Sequence, residues 1–293
     1  MDLETWACPT CLSGLEETAE GLQCRSEGRV FPRRDGLPVL VRPEEEGLLA
    51  DAESYATAWR RDPLAPPRGS QLDLPHVPSR YWRPKARSLA DLLNILGPGN
   101  HRSVADIGAG TGWLSYRLAE AGFRCFATDI SSDHEVGLGA AAVYDSTGHG
   151  FERAVASLTR WPFRSRALDV AICNASLHYL PDIRPAVVEA ARALKPGGVF
   201  VVMNDPVNRD RRSAEHASRD FRERLGRAGA RGGLVEGHHH LVAGDLEADL
   251  RGSFPRIRRH DPDYGFAFRA TRALKAGLLR MELASFPIYV AER

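Results

Sequence analysis

The stretch that most constrains the fold of this chain lies at residues 103–122. Residues 103–107 are mostly apolar and run into a glycine cluster, which predicts a buried strand that ends in a tight turn. Residues 113–121 carry apolar side chains at helical spacing, and Gly122 stands where a helix C-cap is expected. A strand, a glycine turn and a helix form the first half of a nucleotide-binding βαβ unit, so we expect an α/β fold.

The spacing of the glycines separates two kinds of cofactor site. A dinucleotide fingerprint requires Gly-x-Gly-x-x-Gly, and Trp113 stands at the position of its third glycine. The chain instead has Gly108, Gly110 and Gly112 at alternate positions, with Asp106 two residues before the first of them. Glycines in such a turn let a ligand approach the backbone closely, because no side chain stands between them. This spacing argues against a dinucleotide site.

A second acidic residue completes the pattern. The next predicted strand, residues 123–128, runs into Asp129, whose carboxylate can accept hydrogen bonds from both hydroxyls of a ribose. The combination resembles the first motif of class I S-adenosylmethionine-dependent methyltransferases. That resemblance implies a Rossmann-like sheet with helices on both faces and S-adenosylmethionine as the cofactor. The alternative is a plain glycine turn in some other α/β fold.

Residues 157–163 resemble the family's Asp-x-x-x-Leu-Pro-Phe segment, with a serine in place of the acid. In the family the acidic residue bonds the adenine amino group, and the backbone of its neighbour bonds a ring nitrogen. Ser157 replaces that acid, so the resemblance implies a weaker or displaced adenine contact, with Leu158 offering its backbone N–H.

Residues 174–178 read Asn-Ala-Ser-Leu-His, which resembles the branch related to ubiquinone- and menaquinone-biosynthesis methyltransferases. The segment lacks the Pro-Pro-Tyr signature of enzymes that methylate exocyclic amines. His178 and Tyr179 are the candidate catalytic residues, because a histidine suits proton removal from a hydroxyl or an acidic carbon. The alternative is that His178 packs behind the strand. The candidate cofactor-binding residues are Asp106, Gly108, Ala109, Gly110, Gly112, Asp129, Ile130, Ser157, Leu158 and Asn174.

Three cysteines near the N-terminus suggest a metal module. Cys8, Cys11 and Cys24 have the spacing of most of a zinc ribbon, and residues 7–40 resemble the small zinc-ribbon proteins that bind and activate methyltransferases. The residues directly after Cys24, at 25–28, include no fourth cysteine or histidine, although Glu27 offers a carboxylate. The resemblance implies zinc with an incomplete ligand set, in a module that folds with or without metal.

Three regions are expected along the chain: a zinc-ribbon-like module at 1–42, a linker or approach segment at 43–80, and a class I methyltransferase domain at 81–293. Five prolines between residues 63 and 78 argue against long regular elements in the linker. Near the C-terminus, residues 254–259 and 286–291 are predicted strands, joined through a helix from about 266 to 280.

Some features near the expected crevice leave alternatives open. In the family, a helix ahead of the first strand often covers the cofactor, so Tyr81 or Trp82 is expected over the methyl group or packed in the core. Adjacent histidines in a strand point to opposite faces, so residues 238–240 make a poor single metal site. We expect them in a loop or strand that lines the acceptor pocket.

The net charge and the N-terminal residues narrow the classes of function that are expected. The net charge of +1 supplies no general attraction to nucleic acid or membranes, and the arginines at 209–231 are interleaved with acids. The N-terminal residues lack a hydrophobic signal segment, which predicts a cytoplasmic protein. The expected function is methyl transfer to oxygen or carbon of a small or medium-sized organic acceptor. The alternatives are an RNA methyltransferase and a non-catalytic cofactor- or partner-binding protein.

Overall fold

The computed structural model describes residues 1–279 and 281–293. Its N-terminal residues form a small antiparallel sheet of four strands in sequential order. These strands are β1 (Leu15–Thr18), β2 (Gly21–Cys24), β3 (Val30–Arg34) and β4 (Leu37–Pro38). The β-rich module expected at the N-terminus is therefore present.

The rest of the chain is organised around a seven-stranded sheet with a separate pair of short parallel strands beside it. The strands are β5 (Ser103–Ile107), β6 (Arg124–Asp129), β7 (Glu152–Val155), β8 (Leu168–Asn174), β9 (Leu194–Met203), β10 (Val207–Asn208), β11 (Leu241–Val242), β12 (Arg256–His260) and β13 (Ile288–Glu292). The sheet order is β12-β13-β9-β8-β5-β6-β7, and β9 to β7 run parallel while β13 runs antiparallel to both neighbours. The chain winds in opposite directions from β5, so a crevice opens between the carboxyl ends of β5 and β8.

Helices cover both faces of the sheet, as the α/β prediction requires. They are α1 (Gly47–Trp59), α2 (Trp82–Leu96), α3 (Trp113–Glu120), α4 (Arg184–Ala193), α5 (Arg211–Arg227), α6 (Gly233–Glu236), α7 (Ala243–Arg251) and α8 (Phe266–Leu279). Helices α2 and α3 pack on one face, against side chains such as Val104. Helices α4 and α7 pack on the other face with the N-terminal module, against side chains such as Ala105. Successive residues of a strand point to opposite faces, so each strand feeds both cores.

The N-terminal module is joined to the large sheet by buried contacts. Trp6 is fully buried and stacks on Phe163, with ring centroids 4.7 Å apart. Its indole Nε1 donates a hydrogen bond of 2.6 Å to Glu152. The backbone N–H of Leu40 donates to the carbonyl of Val155 at 2.8 Å, so the end of the module lies beside β7.

The segment at 43–80 differs from the expected linker, because α1 occupies residues Gly47–Trp59. The prolines that argued against regular structure all follow this helix, from residue 63 onward, so they could not interrupt it. The predicted helix at 266–280 is present as α8, and its last residue, Arg280, lies outside the described residues. Among the described residues, no helix has both the length and the apolar character needed to cross a bilayer.

Candidate active site

Loops at the carboxyl ends of β5, β6, β8 and β9 open into one cavity of about 350 Å³. Because the carboxyl ends of parallel strands meet at one edge, residues far apart in sequence come together there. Helix α1, the start of α2, and Phe221 of α5 close the cavity from the other side. Of the predicted site residues, the lining includes Gly108, Ala109, Gly110, Asp129, Ile130, Leu158, Asn174, His178 and Tyr179.

The glycines of the first loop serve different purposes. A Cβ at Gly108 would lie 2.5 Å from the Cβ of Ser176, so this glycine lets the loops after β5 and β8 touch. Ser176 is held there by donating a hydrogen bond to the carbonyl of Ile107 at 2.8 Å. At Gly110 a Cβ would meet only the carbonyl of Val136, at 3.8 Å, so the loop is open to a ligand at this point. Both glycines have a positive φ that strains other residues.

Asp129 is fixed at the mouth of β6 by the neighbouring loop. Its two carboxylate oxygens accept hydrogen bonds of 2.8 Å, from the backbone N–H of Gly110 and from that of Ser131. Burial raises the pKa of Asp129, and these backbone hydrogen bonds oppose the shift. Each carboxylate oxygen keeps a further lone pair, so the group can still accept from a diol in the cavity.

Three predicted cofactor-binding residues do not line the cavity. Asp106 is buried behind the loop, where its Oδ2 accepts from the Ser115 hydroxyl at 2.9 Å, and burial raises its pKa to about 7. A Cβ at Gly112 would lie 2.7 Å from the Phe151 ring, so this glycine serves packing. Ser157, for which the resemblance implied a weaker or displaced adenine contact, donates its hydroxyl hydrogen to Glu45 at 2.8 Å and does not line the cavity.

His178 is paired with an acidic residue that the sequence analysis did not select. Its Nδ1 lies 2.6 Å from Oδ1 of Asp205, and both residues are buried. The same carboxylate oxygen accepts the backbone N–H of His178 at 3.1 Å. A carboxylate on Nδ1 favours the tautomer that carries a proton there, which leaves Nε2 as the acceptor nitrogen. The alternative that His178 packs behind the strand disagrees with its place in the cavity lining.

Aromatic rings lie around His178 in the cavity. The Tyr179 hydroxyl is hydrogen-bonded to that of Tyr55 in α1, and burial raises the pKa of both phenols. His238 stacks on Phe221, with ring centroids 3.8 Å apart. Burial lowers the pKa of His238, and it lowers that of His240 to about 4, so both rings are neutral. Of the histidine run at 238–240, His238 and His240 line this cavity and His239 does not. That the run lines the acceptor pocket stays a prediction.

The sequence analysis did not select four residues at the cavity. Tyr55, Trp59 and Lys85 line it, and Asp205 pairs with His178. The first two lie on the helix inside the expected linker. Asp205 comes two residues after the end of β9, and the rule that ligands sit beyond strand ends would have pointed to it. Lys85 was hidden in an amphipathic pattern that equally fits a solvated helix face.

The cysteine cluster gains a fourth donor in three dimensions. Single ligand atoms of Cys8, Cys11, Cys24 and Glu27 all lie within 4.8 Å of one another. Three thiolates and a carboxylate can surround a tetrahedral zinc ion, although thiolate or imidazole is the usual fourth ligand. The residues present therefore fit a structural zinc site.

The strands and loops that form the cavity match a known family of protein domains. The family model described as "Methyltransferase domain" matches residues 105–202, the segment that runs from β5 through β9. This chain carries a methyltransferase domain. Demethylmenaquinone methyltransferase from Mycobacterium marinum is 37% identical over 127 residues, covering 42% of this chain and 47% of that protein. The chain spans about half the length of the curated relatives that it matches.

Two solved structures share the architecture of the methyltransferase domain and its surroundings. Geranyl diphosphate C-methyltransferase from Streptomyces coelicolor matches with a TM-score of 0.59 and 18% identity, covering 83% of this chain and 98% of that one. A chain of the complex between the Haloferax volcanii Trm112 methyltransferase activator and a methyltransferase matches with a TM-score of 0.56 and 18% identity, covering 82% and 97%. The predicted class I methyltransferase fold is confirmed.

Proposed function

We propose that this protein transfers a methyl group from S-adenosylmethionine to oxygen or carbon of a small or medium-sized organic acceptor. The observation that carries the proposal is one cavity lined both by a ribose-competent carboxylate, Asp129, and by His178, whose ring is paired with the buried Asp205. Two of the proteins named above, demethylmenaquinone methyltransferase and geranyl diphosphate C-methyltransferase, act on small molecules by their names, which supports the same substrate class. The proposed catalytic unit is the domain at 81–293, with α1 added to it.

The residues on the cofactor side fit S-adenosylmethionine. The open backbone at Gly110 and the fixed carboxylate of Asp129 suit a ribose, and the backbone of Leu158 suits the adenine edge. When bound, the cofactor would supply an electrophilic methyl group. Methyl transfer is an in-line displacement, so the main task of the chain is to hold the acceptor close and in line.

On the acceptor side, His178 is proposed as the base for a hydroxyl or an acidic carbon. Asp205 would hold the imidazole so that Nε2 is free to accept the proton. Tyr179 keeps its proton, because burial raises its pKa, and so acts as a hydrogen-bond donor rather than a base. Neutral histidines and aromatic rings favour a flat, largely apolar acceptor body.

The charge distribution favours a small acceptor over RNA. Several arginines in and beside α5 are paired with acids, as Arg211 is with Asp245 and Arg224 with Asp62. Protein surfaces that bind nucleic acid present basic stripes to the phosphates. The test is transfer of a labelled methyl group into small-molecule extract or into bulk RNA. Labelling of RNA that falls with salt, and is lost when Arg209, Arg211 and Arg212 are neutralised, would contradict the proposal. Cofactor binding with no transfer to either pool would favour the non-catalytic alternative.

We further propose that the N-terminal module holds zinc through Cys8, Cys11, Cys24 and Glu27. The change Glu27→Gln is expected to weaken zinc binding about tenfold, or ~1.4 kcal/mol, because an amide oxygen is a poorer ligand than a carboxylate. The measurement is a competition titration with a chromogenic chelator. The matched control is Glu20→Gln, an exposed carboxylate of the same module. Equal zinc affinity in the Glu27 variant would remove it from the ligand set.

A further inference from the structure

Lys85 is a largely buried basic residue that lines the cavity. It is 7% exposed and lies among the cavity-lining residues. Its ammonium stands 4.9 Å from the ring centre of Tyr81 and 5.6 Å from that of Trp82. Across residues 1–279 and 281–293 no carboxylate pairs with it, although most other charged side chains in the interior are paired.

A largely buried lysine in a cavity can bind an anion there. Its two ring contacts supply only modest cation–π attraction, and an ammonium gains more from a charge-assisted hydrogen bond to an anion. The chain contains three lysines, and the rest of its lysine-plus-arginine total is arginine. One of these rare lysines thus lies in the cavity without a carboxylate partner, which indicates that its partner arrives with a ligand.

Lys85 lies on a helix face that is tied to the strand ends at the cavity. Tyr81, Trp82, Lys85 and Ser88 follow one face at the start of α2. Ser88 donates to Oδ1 of Asn204 at 2.9 Å, and Asn204 donates to Oδ1 of Asn174 at 2.8 Å. The helix face is therefore tied to the ends of β8 and β9. Asp129 is the one acidic residue among the described lining residues, and its oxygens accept backbone hydrogen bonds at the end of β6 rather than pairing with Lys85.

We propose that Lys85 is the anion-binding group of this cavity and pairs with an anionic oxygen, in the first place a carboxylate, of a bound small molecule. This inference rests on the proposed function, which offers two sources of the anion. One is the amino-acid carboxylate of the cofactor, and the other is an acidic group on the acceptor. The charge-assisted hydrogen bond is the same in both cases.

The test compares Lys85→Met, which keeps the length of the side chain and removes its charge, with Lys85→Arg, which keeps the charge. Calorimetry measures binding of S-adenosylhomocysteine and of 5′-methylthioadenosine, which lacks the amino-acid group. A further pair of titrations, with S-adenosylhomocysteine present, compares the affinity for 4-hydroxybenzoate with that for its uncharged amide. Lys275→Met, on an exposed position of α8, is the control.

If the anion belongs to the cofactor, Lys85→Met should lower affinity for S-adenosylhomocysteine about 10- to 100-fold and leave 5′-methylthioadenosine unchanged. If it belongs to the acceptor, only the preference for the benzoate over its amide should disappear. In both cases Lys85→Arg should keep part of the wild-type affinity for the anionic ligand, because it keeps the positive charge. Ligand-free Lys85→Met should unfold at the same temperature as wild type or at a higher one.

The proposal is overturned if neither S-adenosylhomocysteine nor the benzoate loses affinity in Lys85→Met. It is also overturned if that variant is less stable without ligand, because a structural role would then explain the residue. Failure of the proposed function has a different signature, since the wild-type protein would then bind neither nucleoside.

Discussion

Replacing Asp129 by alanine is expected to weaken binding of S-adenosylmethionine roughly 30- to 1000-fold, or about 2–4 kcal/mol. The carboxylate is anchored by two backbone N–H groups, so it can accept from the ribose without being reoriented. Its loss removes charge-assisted hydrogen bonds and leaves those two donors facing the cavity. Calorimetry with S-adenosylmethionine and S-adenosylhomocysteine measures the effect directly.

A matched control for Asp129 is Asp145→Ala, which removes an exposed carboxylate that pairs with Arg153 outside the cavity. That variant should bind as wild type does. The conservative Asp129→Asn keeps one acceptor oxygen and should fall between alanine and wild type. Wild-type affinity in Asp129→Ala would contradict the assigned ribose contact, and binding of a nicotinamide dinucleotide instead would revive the rejected fingerprint.

Replacing His178 by alanine is expected to lower turnover by about 10²- to 10⁴-fold, the usual contribution of a positioned base. The acceptor is the small-molecule fraction that the wild-type protein labels. Asp205→Asn should lower turnover in the same direction, because an amide can present its N–H to Nδ1 and stabilise the wrong tautomer.

The two substitutions separate positioning from binding. Affinity for S-adenosylhomocysteine should stay within about twofold of wild type in both variants, since neither residue faces the ribose in the proposed arrangement. Asp205→Glu should restore part of the turnover if the carboxylate acts through the histidine. Full turnover in His178→Ala would show that the acceptor needs no base from this residue.

Local sequence was sufficient for the part of the site built on strand ends. The glycine loop, Asp129 and Asn174 could be placed together because each stands at or just after the end of an apolar strand. The carboxyl ends of neighbouring parallel strands lie at one edge of the sheet, so these residues come close to one another. Asp205 satisfies the same rule after β9, yet it lies outside any recognised motif.

Contacts between distant segments could not be predicted. The hydroxyl of Ser157 bonds Glu45 across 112 positions of the chain, which no local pattern indicates. Glu27, by contrast, stands three residues after Cys24, so the sequence already offered it as a ligand. Helix α1 was obscured because its own sequence has a weak amphipathic pattern and proline-rich residues follow it. The Ser157 contact and helix α1 depend on tertiary packing, which periodicity does not encode.

The backbone contact between Leu40 and Val155 affects how readily copies of this protein aggregate. An uncovered outer strand offers free N–H and C=O groups, on which another chain can add a strand and begin aggregation. Strand β7 is the outer strand on one side, and the end of the N-terminal module lies along it, with Val39 bridged to Val155. On the opposite side β12 relies on exposed arginines instead. The N-terminal module thus covers part of the edge of the large sheet, where the backbone of another chain could otherwise pair.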